Sequence, residues 1–186
     1  FNGISYGLRA AADGDINIGN IENSTFTAAG TANTIETAGM WLNSTGNIIQ
    51  IGEISESTFT GGNYGLYALA KHDAIDIGEL EIGNITQSTF SGDTDGFYAY
   101  ARNEINVGNI YNSTFETNSS TNSSTGLYAF SAFRNITIGD ISTSTFTGGE
   151  YGLYVRTNNK NITIGNIQGN IDNHTEFEGS INGLFT

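Results

Sequence analysis

Short stretches of alternating apolar and polar residues recur along the whole chain. The clearest has the form Ile-x-Ile-Gly, with a β-branched or leucine residue at every second position, and its copies start at residues 16, 49, 80, 105, 136 and 162. A period of two predicts a β-strand with one buried face. Each glycine is followed by Asn, Asp or Glu and then another Ile. The Gly-Asn pair predicts a corner with a positive φ angle.

Two other elements repeat with the same period. A strand of the type Gly-Leu-Tyr-Ala starts near residues 7, 39, 65, 96, 126, 152 and 183, at spacings of 26 to 32 residues. A strand of the type Ser-Thr-Phe-Thr places Phe at positions 26, 59, 90, 115, 146 and 177. Three short strands per repeat, separated by corners, predict an all-β fold: a β-solenoid (β-helix) with about six coils of three parallel strands, forming one domain over residues 1–186. At a strand spacing of about 4.8 Å, such a rod is about 30 Å long.

The Gly-Leu-Tyr-Ala strands have one uniformly apolar parity and one mixed parity. Leu8, Met40 and Leu66 belong to the apolar set, whereas Arg9 and Arg156 belong to the other. The apolar set is therefore predicted to face the core. The outward set contains a column of aromatic residues: Trp41, Tyr67, Tyr98, Tyr128 and Tyr154. Two interpretations stay open, since such a column either stabilises the sheet by cross-strand stacking or provides an interface for a partner.

Threonines flank the inward phenylalanines in most coils. The positions concerned are Thr25, Thr27, Thr58, Thr60, Thr89, Thr145 and Thr147. This Thr-x-Thr array resembles the ice-binding faces of β-solenoid antifreeze proteins, although Glu116 interrupts it. The resemblance implies an ice-binding face, while the plainer interpretation is that Thr suits an exposed strand.

The chain contains nine Asn-x-Ser/Thr sequons, which are potential N-glycosylation sites in a secreted protein. They are Asn23, Asn43, Asn84, Asn112, Asn118, Asn122, Asn135, Asn161 and Asn173. Asn118 and Asn122, in a Ser/Asn/Thr-rich insertion, are expected to be the most accessible. The alternative is that these residues only fill turns.

Composition narrows the classes of function. The net charge is −13 and only six residues are Lys or Arg, so a groove that follows nucleic acid phosphates is not expected. The absence of cysteine excludes disulfides and thiolate metal sites, and no apolar run is long enough for a membrane-spanning helix. The two histidines, His72 and His174, are too far apart in the repeat to share a site. We therefore predict no enzyme activity, cofactor or metal.

The repeat style resembles the passenger regions of autotransporter-type adhesins and other secreted β-solenoid surface proteins. The first residues align with the repeat from Phe59 onward, so we expect mid-coil, uncapped ends, as in a segment of a longer solenoid or a filament subunit whose ends neighbouring copies cover. The resemblance implies an extracellular or cell-surface rod that serves as a structural fibre or adhesive surface. Its expected partners are copies of itself, end to end or side by side, and surface glycans. Ice binding and a carbohydrate-binding or carbohydrate-active β-helix are the alternatives.

Overall fold

Twenty-six short β-strands follow one another along the described part of the chain. The computed structural model describes residues 1–30, 37–71, 78–119 and 123–169, and the backbone of the strands at 176–178 and 182–185. In chain order the first thirteen strands are β1 (Asn2–Gly3), β2 (Tyr6–Ala12), β3 (Ile16–Ile18), β4 (Ile21–Glu22), β5 (Thr25–Ala28), β6 (Ala38–Ser44), β7 (Ile48–Ile51), β8 (Ile54–Ser55), β9 (Thr58–Thr60), β10 (Tyr64–Ala70), β11 (Glu79–Ile82), β12 (Ile85–Thr86) and β13 (Thr89–Gly92). The other thirteen are β14 (Asp95–Ala101), β15 (Ile105–Val107), β16 (Ile110–Tyr111), β17 (Thr114–Thr117), β18 (Thr125–Ser131), β19 (Ile136–Ile138), β20 (Ile141–Ser142), β21 (Thr145–Thr147), β22 (Tyr151–Thr157), β23 (Ile162–Ile164), β24 (Ile167–Gln168), β25 (Glu176–Glu178) and β26 (Asn182–Phe185).

These strands form four parallel sheets that run the length of the rod. The Phe sheet has the order β1-β5-β9-β13-β17-β21-β25, and the Tyr sheet has the order β2-β6-β10-β14-β18-β22-β26. The Ile sheet contains β3, β7, β11, β15, β19 and β23, and the short sheet contains β4, β8, β12, β16, β20 and β24. Each strand pairs with its equivalent one coil away, so equivalent residues stack: Phe59 pairs with Phe90, which pairs with Phe115. This arrangement confirms the predicted β-solenoid.

Each coil has four strands where the sequence predicted three. The fourth is the two-residue strand that follows the corner glycine, for example Ile54–Ser55, which pairs with Ile85–Thr86 of the next coil. The Ile that follows each corner is expected to be buried. This is confirmed for Ile54, Ile85 and the equivalent residues of the other coils, except in the last of them, where Ile167 is 44% exposed. A two-residue segment is too short to show a period-two pattern, and only the ladder between coils makes it a strand.

The corner glycines do not have positive φ angles, contrary to the expectation from the Gly-Asn pair. Residues with φ near 48° occur instead three positions after that Asn or its equivalent, as at Asn23 and Glu56. The glycine is needed for space: a Cβ at Gly52 would lie 2.4 Å from Oδ1 of Asn20. That oxygen accepts a hydrogen bond from the backbone N–H of Glu53 at 3.1 Å. The Asn side chain of one coil therefore fills the space that a Cβ atom at the corner glycine of the next coil would need.

The core is built from ladders of identical side chains. Rings of Phe59, Phe90 and Phe115 are fully buried and stack at 4.8 Å between centroids. Met40 and Leu66 are also buried, which confirms that the uniformly apolar parity faces inward.

A buried serine ladder, which the sequence analysis did not identify, lies beside the Phe ladder. The hydroxyl of Ser88 accepts a hydrogen bond from the backbone N–H of Ser57 and donates one to the carbonyl oxygen of Thr86. Ser113 and Ser144 repeat this pattern. Each hydroxyl therefore has a donor and an acceptor partner, as burial of a polar group requires.

Candidate functional site

The predicted aromatic column lies on the outer side of the Tyr sheet. Tyr67, Tyr98, Tyr128 and Tyr154 stack with ring centroids 4.9 to 5.1 Å apart and planes within 7° of parallel. Trp41 extends the stack at 5.8 Å from Tyr67. The in-register pairing of equivalent strands brings these rings together, because each coil contributes one ring at the same position.

Part of this column is covered, so it is not one continuous exposed stripe. Trp41 and Tyr67 are only 7% and 8% exposed. Tyr6 packs against Trp41 at 5.8 Å, and Tyr64 packs against Tyr67 at 4.9 Å. Tyr64 has the same parity as the buried core residue Leu66, yet its ring lies on the outer column. Its ring contacts those of Tyr67 and Tyr98, at 4.9 and 5.7 Å.

The covering residues form a second row, which we call the flanking row. Its members pair across the coils in the order Tyr6, Ala38, Tyr64, Asp95, Thr125 and Tyr151. Three of these are tyrosines whose rings lean on the column, and Tyr151 contacts Tyr154 at 4.9 Å. The row therefore has a gap of two consecutive coils, at Asp95 and Thr125.

This gap is a pocket of about 280 Å³. The edges of Tyr98 and Tyr128 line it, Tyr151 and Glu150 flank it, and Asp95 and Thr125 contribute their side chains. We call it the Asp95 pocket. On the described Tyr sheet, only here do two neighbouring coils both have a polar residue, instead of a tyrosine or alanine, in the flanking row.

Asp95 is an unusual residue for this position because it is only 5% exposed. Loss of hydration raises the pKa of its carboxyl group from 3.8 to about 7, although hydrogen bonds from the backbone and hydroxyl of Thr125 act in the opposite direction. Burial also raises the pKa of Tyr98 and of Tyr128 above that of a free phenol. The hydrogen bond to Glu150 raises the pKa of Tyr151.

The predicted threonine array forms two columns on the outer side of the Phe sheet. One column is continuous over five coils, and its members pair in the order Thr25, Thr58, Thr89, Thr114 and Thr145. The other contains Thr27, Thr60 and Thr147 but is broken by Ser91, which is buried, and by Glu116.

The sequons differ in accessibility. Exposed asparagines are Asn23, Asn112, Asn118, Asn135 and Asn161. Asn43 and Asn84 are half-buried, and Asn84 is held in the corner ladder, where its Oδ1 accepts a hydrogen bond from the backbone N–H of Asn109. Asn122 and Asn173 lie outside the described residues.

A wider, open groove follows the corner between the Ile sheet and the short sheet. It has a volume of about 640 Å³ and a floor that includes Gly52 and Gly83. Glu53 and Glu81 on its rims accept hydrogen bonds from Asn84 and Gln50, respectively. Because those amide–carboxylate pairs lie within the repeat, the groove is part of the structural ladder.

The sequence favours a solvated turn for the acids of Asp93-Thr94-Asp95, and this interpretation was wrong for Asp95, which is buried. A signal for its unusual position was present in the repeat. Tyr precedes the repeat glycine at Tyr6, Tyr64 and Tyr151, whereas Asp precedes it at Asp95. That difference in the sequence alone says nothing about burial, which depends on how residues of neighbouring coils, such as Thr125 and Tyr128, pack around Asp95.

No family profile, curated protein or solved structure matches the chain. Within the described residues, no group of three or more acidic or histidine side chains could hold a metal ion. The same residues contain no helix that could cross a membrane. His72 and His174 both lie outside the described part of the chain.

Proposed function

We propose that the chain is an extracellular structural and adhesive rod of a cell surface. The observation that carries this proposal is the unbroken register: equivalent residues pair from coil to coil in all four sheets. Ladders of Phe, Ser and Asn make each coil depend on its neighbours, which gives a stiff, extended object with the same outward side chains repeated along it. The nine sequons and the polar Thr face suit a surface in contact with the medium outside the cell.

Copies of the chain are the first proposed partner. Among the described strands, β1 to β4 and β23 to β26 pair on one side only, so their other edges can each pair with a further coil, of the same chain or of a second copy. A second copy that continues the four ladders would pair with those edges and form a head-to-tail contact, which extends into a fibre.

Electron microscopy tests both parts of this proposal. Immunogold labelling of the producing cells should place the protein at the surface, and cryo-electron microscopy of the native material should show coils that pass from one copy into the next. Label confined to the cell interior would overturn the surface role. Isolated rods at high protein concentration would overturn the head-to-tail contact.

Ice binding is a second candidate, favoured by the continuous column from Thr25 to Thr145. Evenly spaced threonines on a straight, parallel sheet offer hydroxyl and methyl groups at a regular interval of about 4.8 Å. Thermal hysteresis of the purified chain should then fall strongly in Thr89→Lys and remain unchanged in Lys160→Thr, a substitution away from the Phe sheet. Freezing without any hysteresis would remove this candidate.

A further inference from the structure

The Asp95 pocket holds a buried carboxyl group without a cationic partner in the described structure. Its hydrogen bonds come from Thr125, and burial is the largest influence on its pKa. Arg156, whose guanidinium group lies 5.6 Å from the ring of Phe130, acts on Tyr128 of the lining, whereas the influences on Asp95 are burial and Thr125. A buried acid of this kind costs stability when it ionises, unless a ligand supplies the missing charge.

The remaining walls of the pocket are also hydrogen-bond acceptors or hydroxyl groups. Glu150 brings a second carboxylate, and Thr125, Tyr98 and Tyr128 bring hydroxyls. Among the residues that the structure describes, no Lys, Arg or His lines the pocket. An anionic ligand is therefore disfavoured, and a ligand with several N–H donors and a positive charge fits the lining best.

The geometry of the rings narrows the class of cation. Tyr98 and Tyr128 stack at 5.1 Å with an angle of 1° between their planes, and Tyr67 and Tyr154 stack on their outer faces at 4.9 and 5.0 Å. Both faces of each ring are therefore covered, which leaves the ring edges to line the pocket. Quaternary ammonium groups are recognised by ring faces, and the stacking of a sugar on an aromatic residue also needs an open face. Neither Tyr98 nor Tyr128 has an open ring face in the pocket.

The size of the pocket suits a small ligand, and its set of oxygen ligands argues against calcium. A volume of about 280 Å³ is at the lower limit for small-molecule sites and accommodates one alkyl chain with its ammonium head. Calcium prefers about six to eight oxygen ligands, including several carboxylates or carbonyls. The pocket offers only two carboxylates.

We propose that the Asp95 pocket binds a primary alkylammonium group, with Asp95 as its counter-ion and the hydroxyls of Thr125 and the pocket tyrosines as further acceptors. The group is either a free amine or a lysine side chain of a partner. This site goes beyond the proposed rod function and does not depend on where the rod is located or whether it forms fibres.

Binding should release a proton. The ionisable groups that face Asp95 or its neighbours are the phenols of Tyr98, Tyr128, Tyr151 and Tyr154, the carboxylate of Glu150, and Arg156. Phenols, carboxylates and guanidinium groups ordinarily titrate outside pH 6–8. Asp95 is mostly protonated at pH 6 and mostly ionised at pH 8, because its pKa is about 7. An ammonium ligand binds the ionised form, so its affinity should rise about tenfold between these two pH values.

Isothermal titration calorimetry of the whole chain tests the proposal. The probes are n-butylammonium chloride, which represents a free amine, and Nα-acetyl-lysine methylamide, which represents the lysine side chain of a partner. Tetramethylammonium, N-acetylglucosamine and calcium chloride serve as comparison ligands. We expect a primary amine to bind more tightly than the three comparison ligands, with an affinity about tenfold higher at pH 8 than at pH 6. Titrations at pH 6 in two buffers of different ionisation enthalpy should show the release of close to one proton.

Two variants distinguish binding in the Asp95 pocket from nonspecific attraction of a cation to the negatively charged chain. Asp95→Asn should weaken butylammonium binding at pH 8 at least tenfold. Asp93→Asn removes the same charge two residues away, outside the pocket lining, and should leave binding unchanged. Circular dichroism checks that both variants fold. If the Asp95→Asn variant does not fold, proton release on binding to the native chain still tests the proposal. Tighter binding of a comparison ligand, equal losses in both variants, or no proton release would overturn the proposal, whatever the outcome of the electron microscopy.

Discussion

The Phe ladder makes Phe90→Ala the substitution whose cost the structure defines best. Phe90 is fully buried, and both faces of its ring are in contact with neighbours: Phe59 and Phe115 each lie at 4.8 Å, with planes within 3° of parallel. Phe97 adds a further ring at 5.5 Å. Truncation of a buried Phe costs about 3–5 kcal/mol, and the backbone ladders on either side limit any collapse into the cavity. We expect a loss near the upper end, about 4–5 kcal/mol.

Phe133→Ala is the matched control. Phe133 is 43% exposed, and its described ring contact is the guanidinium group of Arg102 at 4.9 Å. An exposed cation–π contact contributes about 0.5–1 kcal/mol, so the same chemical change should cost about 1 kcal/mol or less here.

Guanidinium chloride titrations measure both free energies of unfolding. Far-UV circular dichroism reports on all coils, whereas the fluorescence of Trp41, the only tryptophan, reports on one end of the column. Coincident transitions indicate cooperative unfolding and justify comparing the free energies. A loss below about 2 kcal/mol for Phe90→Ala, or equal losses for the two variants, would refute the cavity argument.

Three further predictions follow from the corner, the Asp95 pocket and the sequons. Gly52→Ala should cost about 1–3 kcal/mol in chemical denaturation because its Cβ would meet the Asn side chain of the preceding coil, whereas Gly19→Ala, with nothing within 4 Å, should stay within about 0.5 kcal/mol. Asp95 holds its proton in the folded state up to a pKa of about 7 but releases it near pH 4 in the unfolded chain, so its contribution to stability is complete below about pH 4 and falls as the pH rises to 7. Urea titrations should show a total loss on the order of 4 kcal/mol over this range, about 1.4 kcal/mol per pH unit, and its absence in Asp95→Asn. Expression in a host that N-glycosylates secreted proteins, followed by mass spectrometry, should find glycan on Asn112, whose side chain is exposed, and none on half-buried Asn43.

Local sequence patterns were sufficient for the fold class and for most of the core. The alternation in Ile-x-Ile and the recurrence of Phe at positions such as 59, 90 and 115 determine which side of each strand is buried, because side chains alternate between the two faces of a strand. Once that parity is known, stacking equivalent residues between coils is the arrangement that buries every inward face. The register observed at Phe90 agrees with this reasoning.

The corner and the outer face needed the tertiary structure. Whether Ile54–Ser55 is a strand, and whether Gly52 is required for its φ angle or for space, depends on backbone and side chains one coil away. Likewise, Tyr67 is outward by parity but becomes buried because Tyr64 leans over it.

The Asp95 pocket likewise depends partly on the sequence and partly on the tertiary structure. The chain itself determines that Asp95 replaces a tyrosine of the repeat. Only the assembled coils decide that this carboxyl group is buried, in a pocket lined by Tyr98 of its own strand and by Tyr128 and Tyr151 of later coils, and that the pKa of Asp95 is therefore raised. Parity and periodicity are properties of one strand and can be read from it, whereas desolvation of an outward side chain is produced by neighbours about 4.8 Å above and below, which are some thirty residues away in the chain.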